Sequence, residues 1–179
     1  MNPAHHDRVE VRLRELPQLF NSMDPSPFSD RDLDAAAEDF IVGWARELPH
    51  QDELELVVHL TTTPDPARAA GTPDAVRHYF SDRAALKDRE LRLLLRRGRF
   101  SLAVGLLFLA ACFGVGELVG HGQGESWREF VQLGLHIVGW VAMWRPLEIF
   151  LYDWWPVRND RELMARLARM RVRLELPKA

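Results

Sequence analysis

Three short segments of the chain alternate apolar and polar residues, and two long ones are predominantly apolar. Alternation is the period of a strand with one face buried. It runs through Val9–Arg14 (VEVRLR), through Glu53–Leu60 (ELELVVHL), and through Arg171–Leu176 (RVRLEL). Between the first two lies a helical period in which Leu33, Ala37, Phe40, Ile41, Trp44 and Leu48 form one apolar stripe. Asp32, Asp34, Glu38 and Asp39 fall outside that stripe. Residues 22–29 carry Pro25 and Pro27 and read as a loop, after which Ser29 or Asp30 can cap a helix starting near Arg31. Strand, helix and strand at this spacing predict a parallel βαβ unit.

The long apolar segments follow. Residues 100–120 (FSLAVGLLFLAACFGVGELVG) have one charge, Glu117, near one end. A helix of that length spans about 30 Å, the thickness of a bilayer core. Residues 127–152 are less pure, with Gln132 and His136 in the first half and Arg145 and Glu148 in the second. Trp127 marks one end of this segment, and Tyr152, Trp154 and Trp155 mark the other, as interfacial aromatics do. The link at 121–126 is short and glycine-containing, so the two helices are expected to be antiparallel. Pro146 is expected to kink the second.

The remaining pattern connects these parts. Residues 61–73 (TTTPDPARAAGTP) read as a linker, and Thr72, Pro73 and Asp74 as a helix start. That helix is expected to feed the first apolar segment, with Gly98 as a flexible point. Asn159 or Asp160 is expected to cap a short helix before the third strand. The expected fold class is an α+β membrane protein, with a two-helix transmembrane hairpin inserted into a small cytosolic α/β domain. Along the chain this gives a βαβ part at 1–80, a basic juxtamembrane helix at 81–99, and membrane helices at 100–120 and 127–152. A short external loop at 121–126 joins them, and a helix and strand at 153–179 complete the α/β domain. So small a core is marginal alone, so anchoring and self-association are expected to assist it, with a sheet edge as one place for subunits to pair.

Charge sharpens the picture. The net charge is −3, yet residues 1–82 carry 7 Lys/Arg against 16 Asp/Glu, and residues 83–99 carry 7 against 2. Residues 158–179 carry 7 against 3. Basic collars flanking apolar segments suit lipid headgroups, and by the positive-inside rule they lie in the cytosol. The acidic N-terminal part argues against nucleic acid as a partner. Residues 1–7 lack the charged and apolar regions of a signal peptide. The expectation is an inner (cytoplasmic) membrane protein, multi-pass, with both termini cytosolic.

No catalytic constellation stands out. Cys112 is the single cysteine and lies inside an apolar segment, so no internal disulfide can form. Asp30, Asp32 and Asp34 begin like a calcium loop, but Ala35 and Ile41 occupy the positions that need Gly and Glu. His5 and His6 are adjacent and could bind a metal only unspecifically, and neither His59 nor His78 has a partner at a triad or metal spacing. No catalytic residue, metal site or cofactor is therefore assigned. The polar residues of the apolar segments are the better candidates, because an ionisable group in a bilayer needs a partner. Gln132 and His136 share a helix face with Trp140 and Trp144, and Glu117 is placed to meet Arg128 or Gln132. Arg145 and Glu148 can pair at i,i+3 near the interface and, with Trp154 and Trp155, act as anchors. Gly114, Gly116 and Gly120 are small positions suited to close helix packing.

Two functional readings follow. One is a non-enzymatic, self-associating scaffold or regulatory module, docking a cytosolic protein partner through the acidic face of the first helix. The other is a homo-oligomeric ion or proton pore, or transport accessory subunit, using the polar face of the second membrane helix.

Overall fold

The computed structural model describes residues 8–48, 54–120 and 126–176. Contacts divide the chain into two units, one of residues 1–87 with 159–179 and one of residues 88–158. The fold is mixed helix and sheet, with a small three-stranded parallel sheet and one long apolar helix.

The sheet belongs to the first unit and takes the order β1 (Arg8–Leu13), β2 (Glu55–Leu60), β3 (Arg171–Glu175). The alternation seen in the sequence sets its register. Val9 pairs with Leu56 and Leu56 with Val172, while Val11 pairs with Val58 and Val58 with Leu174. These rows face the core, where Leu56 and Val58 are fully buried. The opposite face carries charges. Glu55 sits between Arg8 at 2.7 Å and Arg173 at 3.3 Å, and His59 between Glu10 at 3.4 Å and Glu175 at 3.2 Å.

Helix α1 (Ala35–Glu47) starts later than the expected position near Arg31. The preceding residues are held elsewhere. Phe28–Asp30 form a 3₁₀ turn, and Leu33 bridges to Phe20. The Asp34 N–H donates to Leu19 O at 3.0 Å, and the Asp34 carboxylate caps the helix by accepting from the Ala36 N–H at 3.0 Å. This start turns the small residues inward. Ala37, Ile41, Val42 and Ala45 are buried, whereas Phe40 and Trp44 are 44% and 51% exposed. The apolar stripe expected from the sequence is therefore split, with Phe40 and Trp44 outside the buried part. The alanines let the helix lie close to the sheet, and the rings stand off the flank, 6.1 Å from each other.

Helix α2 (Pro66–Gly120) also departs from expectation at its start. The sequence contains two similar start signals, Asp65-Pro66 and Thr72-Pro73, and the helix uses the first. Pro73 lies inside it, and the buried Thr72 hydroxyl donates to Arg68 O at 2.7 Å. In the first unit the helix contributes Val76 and Phe80 to the core, beside Leu163 and Leu167 of α5 (Trp154–Leu167). That last helix runs straight through Asn159 and Asp160, so neither caps it. Asp160 instead receives Arg46 at 3.0 Å.

The second unit is built on residues 88–120 of α2, on α3 (Ser126–Ala142) and on α4 (Trp144–Glu148). A π-helical turn at Ile149–Asp153 follows. The segment 127–152 is therefore not one uninterrupted helix. Pro146 has no N–H to offer Ala142 O, and the Met143 N–H tightens onto Trp140 O at 3.0 Å. The break falls before the proline, where the missing bond lies. Gly98 is no flexible point either. It lies within α2, and a Cβ there would meet Ile149 Cγ2 at 2.8 Å.

Among the described residues α2 alone is long and apolar enough to cross a membrane, and 17% of its most apolar window is buried. The 17 residues of α3 rise only about 26 Å, short of a bilayer core of about 30 Å.

Candidate functional site

The polar candidates of the second unit meet a run of small residues on α2. A Cβ on Gly116 would lie 3.2 Å from His136 Nε2 and 3.5 Å from Gln132 Cγ. A Cβ on Gly139 would lie 2.9 Å from Leu109 Cδ1 and 3.2 Å from Cys112 Cβ. A Cβ on Gly105 would lie 3.2 Å from Met143 Sδ and 3.4 Å from Pro146 Cγ. On α2 the positions 98, 105 and 112 recur every seven residues, as do 95, 102, 109 and 116. On the facing segment 132, 139 and 146 do the same, with 136, 143 and 150 between them. Such a repeat is the pattern of a knobs-into-holes seam, in which glycine lets the backbones approach.

His136 is the polar centre of this seam. Its ring stacks on Phe113 with centroids 4.3 Å apart and planes 20° from parallel. Its Nε2 is buried and has no hydrogen-bond partner. An apolar ring on one side and a glycine on the other give it a close-fitted but poorly solvated place. Cys112, close by on α2, is buried and free. The arrangement can pack two helices, and it leaves one ring nitrogen without a hydrogen-bond partner.

The other expected residues do not share this environment. Glu117 is exposed on α2. The Arg128 guanidinium lies 5.5 Å from the Trp127 ring centroid. Trp140 and Trp144 are 63% and 73% exposed, so the face they share with Gln132 and His136 on a helical wheel is split in space. Gly114 has nothing within 4 Å of a Cβ, in contrast to Gly116. Gly120 ends α2, and its side-chain surroundings, like the loop at 121–125, lie outside the described residues. So do His5 and His6. Of the seam residues, Gly98 was singled out in the sequence only as a flexible point, and Gly105 and Gly139 not at all, although the seven-residue spacing of Gly98, Gly105 and Cys112 marks the α2 side there.

The expected anchors form a local group. Arg145 and Glu148 pair at 2.7 Å, and Arg145 also reaches Asp153 at 3.8 Å. The Trp154 indole N–H donates to Phe150 O at 2.7 Å, and its ring lies 5.5 Å from that of Trp155.

A second polar centre lies in the first unit. Glu38 of α1 accepts from the Tyr79 hydroxyl at 2.7 Å and from Arg83 Nη2 at 2.6 Å. Burial, with the Glu38 carboxylate, pushes the Tyr79 phenol well above its usual range. The same carboxylate holds the Arg83 guanidinium charged. This network borders an open pocket of about 270 Å³ with Asn21, Asp32 and Asp82 on its wall. Glu38 and Asp34 thus serve the fold from within the acidic face expected to dock a partner. Among the described residues no group of three or more His, Cys, Asp or Glu side chains could hold a metal ion. No family model, no curated protein and no solved structure matches the chain.

Proposed function

We propose that the chain is an integral protein of the inner (cytoplasmic) membrane, a non-enzymatic, self-associating scaffold or regulatory module. In this reading residues 100–120 and 127–152 cross the bilayer as a hairpin. Both termini stay in the cytosol, where they form the α/β domain. The single observation that carries it is the exposed apolar band. Phe100, Leu107 and Leu118 on α2, with Phe130, Trp140 and Trp144 on the following segment, are each more than half exposed. Soluble proteins rarely expose contiguous apolar patches of more than a few hundred Å². A lipid solvent removes that penalty, and the arginine-rich flanks supply the orientation. The break at Met143 places Arg145 and Glu148 beyond α3, so the second crossing needs the π-helical turn or local thinning to complete it.

The test is fractionation. The protein should stay with membranes after alkaline carbonate extraction, and fluorescent fusions at either end should be fluorescent in the cytosol. Release into the soluble fraction would overturn the reading.

A second reading is favoured by the unpartnered His136 Nε2. Several copies could form an ion or proton path past that nitrogen. The stacking of His136 on Phe113 and its contact with Gly116 favour packing within one chain instead. A closed ring of four or more copies in nanodiscs, with proton flux abolished in His136→Phe, would establish the pore. Assembly without flux would leave the scaffold.

A further inference from the structure

We propose that an arginine-lined groove on the second unit binds the phosphate of an anionic phospholipid. This deepens the membrane reading and rests on it. The groove is open, about 720 Å³ in volume, with Arg89, Arg92, Arg96 and Arg99 on its wall beside Leu95 and Phe150.

Three observations converge there. The four arginines follow one another at three, four and three residues, so they lie along one face of α2. No acidic side chain lines the groove. Arg92 is paired with Asp88, four residues before it, while Arg89, Arg96 and Arg99 have no ion pair among the described residues. Elsewhere on the chain Arg8, Arg46, Arg83 and Arg145 all have carboxylate partners. Three exposed guanidinium groups on one helix face, Arg89, Arg96 and Arg99, without a carboxylate partner therefore point to an anion from outside the chain.

Position and chemistry select the anion. Arg99 directly precedes Phe100, where the apolar segment begins. In the proposed orientation Arg96 and Arg99 stand at headgroup level, and Arg89 lies about 15 Å further into the cytosol by helix rise. Guanidinium is the group that meets phosphate in a planar, two-point contact, and these arginines are not replaced by lysine. Phe150 and Leu95 give the same groove an apolar wall. A soluble anion has no use for such a wall, whereas the glycerol and first methylenes of a lipid do.

The experiment uses the full chain purified in detergent and freed of native lipid. Phosphatidylglycerol or phosphatidylcholine is titrated in, and retained lipid is counted by native mass spectrometry. Phosphatidylglycerol should be retained in preference. The double variant Arg96→Gln/Arg99→Gln should weaken its retention roughly thirtyfold. The charge-matched control Arg12→Gln/Arg68→Gln, outside the groove, should leave retention unchanged. Arg89→Gln/Arg96→Gln serves as a second variant if the first loses its helical circular dichroism. Equal retention of the two lipids would overturn the proposal, as would equal loss in the control. So would a short RNA or inorganic phosphate binding as tightly as the lipid. Carbonate extraction of the same variants separates the two levels. Chains that stay in the membrane but retain lipid normally overturn the groove alone. Chains that leave the membrane fraction before any substitution overturn the membrane reading with it.

Discussion

Two glycines show how much a single position depends on what faces it. A Cβ on Gly139 would meet Leu109 and Cys112 at 2.9 and 3.2 Å, and one on Gly114 would meet nothing within 4 Å. Overpacking a tight contact costs about 1–3 kcal/mol. Gly139→Leu should therefore lower the thermal midpoint of the purified protein clearly, and Gly114→Leu should hardly move it. A second residue, Asp24, gives a pH-dependent case. Its carboxylate accepts from the Asp32 N–H at 2.7 Å and the Ser26 N–H at 2.9 Å. The hydrogen bond from Asp32, then that from Ser26, lowers its pKa below the ordinary value. The folded value lies below the unfolded one, so the contribution is present above the ordinary carboxylate range and is lost as pH falls through the folded value. The protection of the Ser26 and Asp32 amides, measured against their intrinsic exchange rate at each pH, should fall on that acidification, and Asp24→Asn should remove the step. The polar pair Gln132 and His136 was legible in the sequence because four residues make one helical turn. Its environment was not, because Gly116 belongs to another helix and only the register between helices brings them together.

At the scale of elements, the strands were the legible part. Each alternating segment became a strand within a residue or two, since a period of two with one apolar side has one stable burial. Helix boundaries were ambiguous for a stated reason. Asp30, Asp32 and Asp34 are all capable caps, and only the bonds from Phe20, Leu19 and Asn21 to the preceding loop select Asp34. The two Pro-containing starts of α2 compete in the same way. Pro146 was expected to kink the helix, and the observed break at Met143 follows from the bond the proline cannot make. Replacing it should mend the helix. Pro146→Ala restores a helix-forming residue, worth up to about 3 kcal/mol, and removes two buried methylenes worth about 1.6 kcal/mol. The net effect should be a higher thermal midpoint, with a new amide at residue 146 that is protected from exchange. A lower midpoint would mean that the contact of Pro146 with the Gly105 position outweighs the repaired bond.

At the scale of the whole molecule, the parallel sheet draws its strands from distant parts of the chain. β2 is the central strand, paired with β1 on one side and β3 on the other. Under the proposed membrane reading, a chain ending before residue 171 should still fractionate with membranes. Its β2 would then have one partner, and Leu56 and Val58 would lose the row completed by Val172 and Leu174. Limited proteolysis should cut such a chain near β2 much faster than the full one. Equal rates would mean that β3 adds little to the sheet.

The order of those strands has a consequence in time. A ribosome emits residues 8–60 first and residues 171–175 only after the whole apolar part has passed. At ordinary rates of synthesis that interval is on the order of ten seconds. Throughout it the central strand waits as a raw edge, available to chaperones, proteases or a neighbouring nascent chain. The final strand then acts as a latch, so that translation of the apolar part precedes closure of the sheet, and a chain that stalls within that part remains open to degradation.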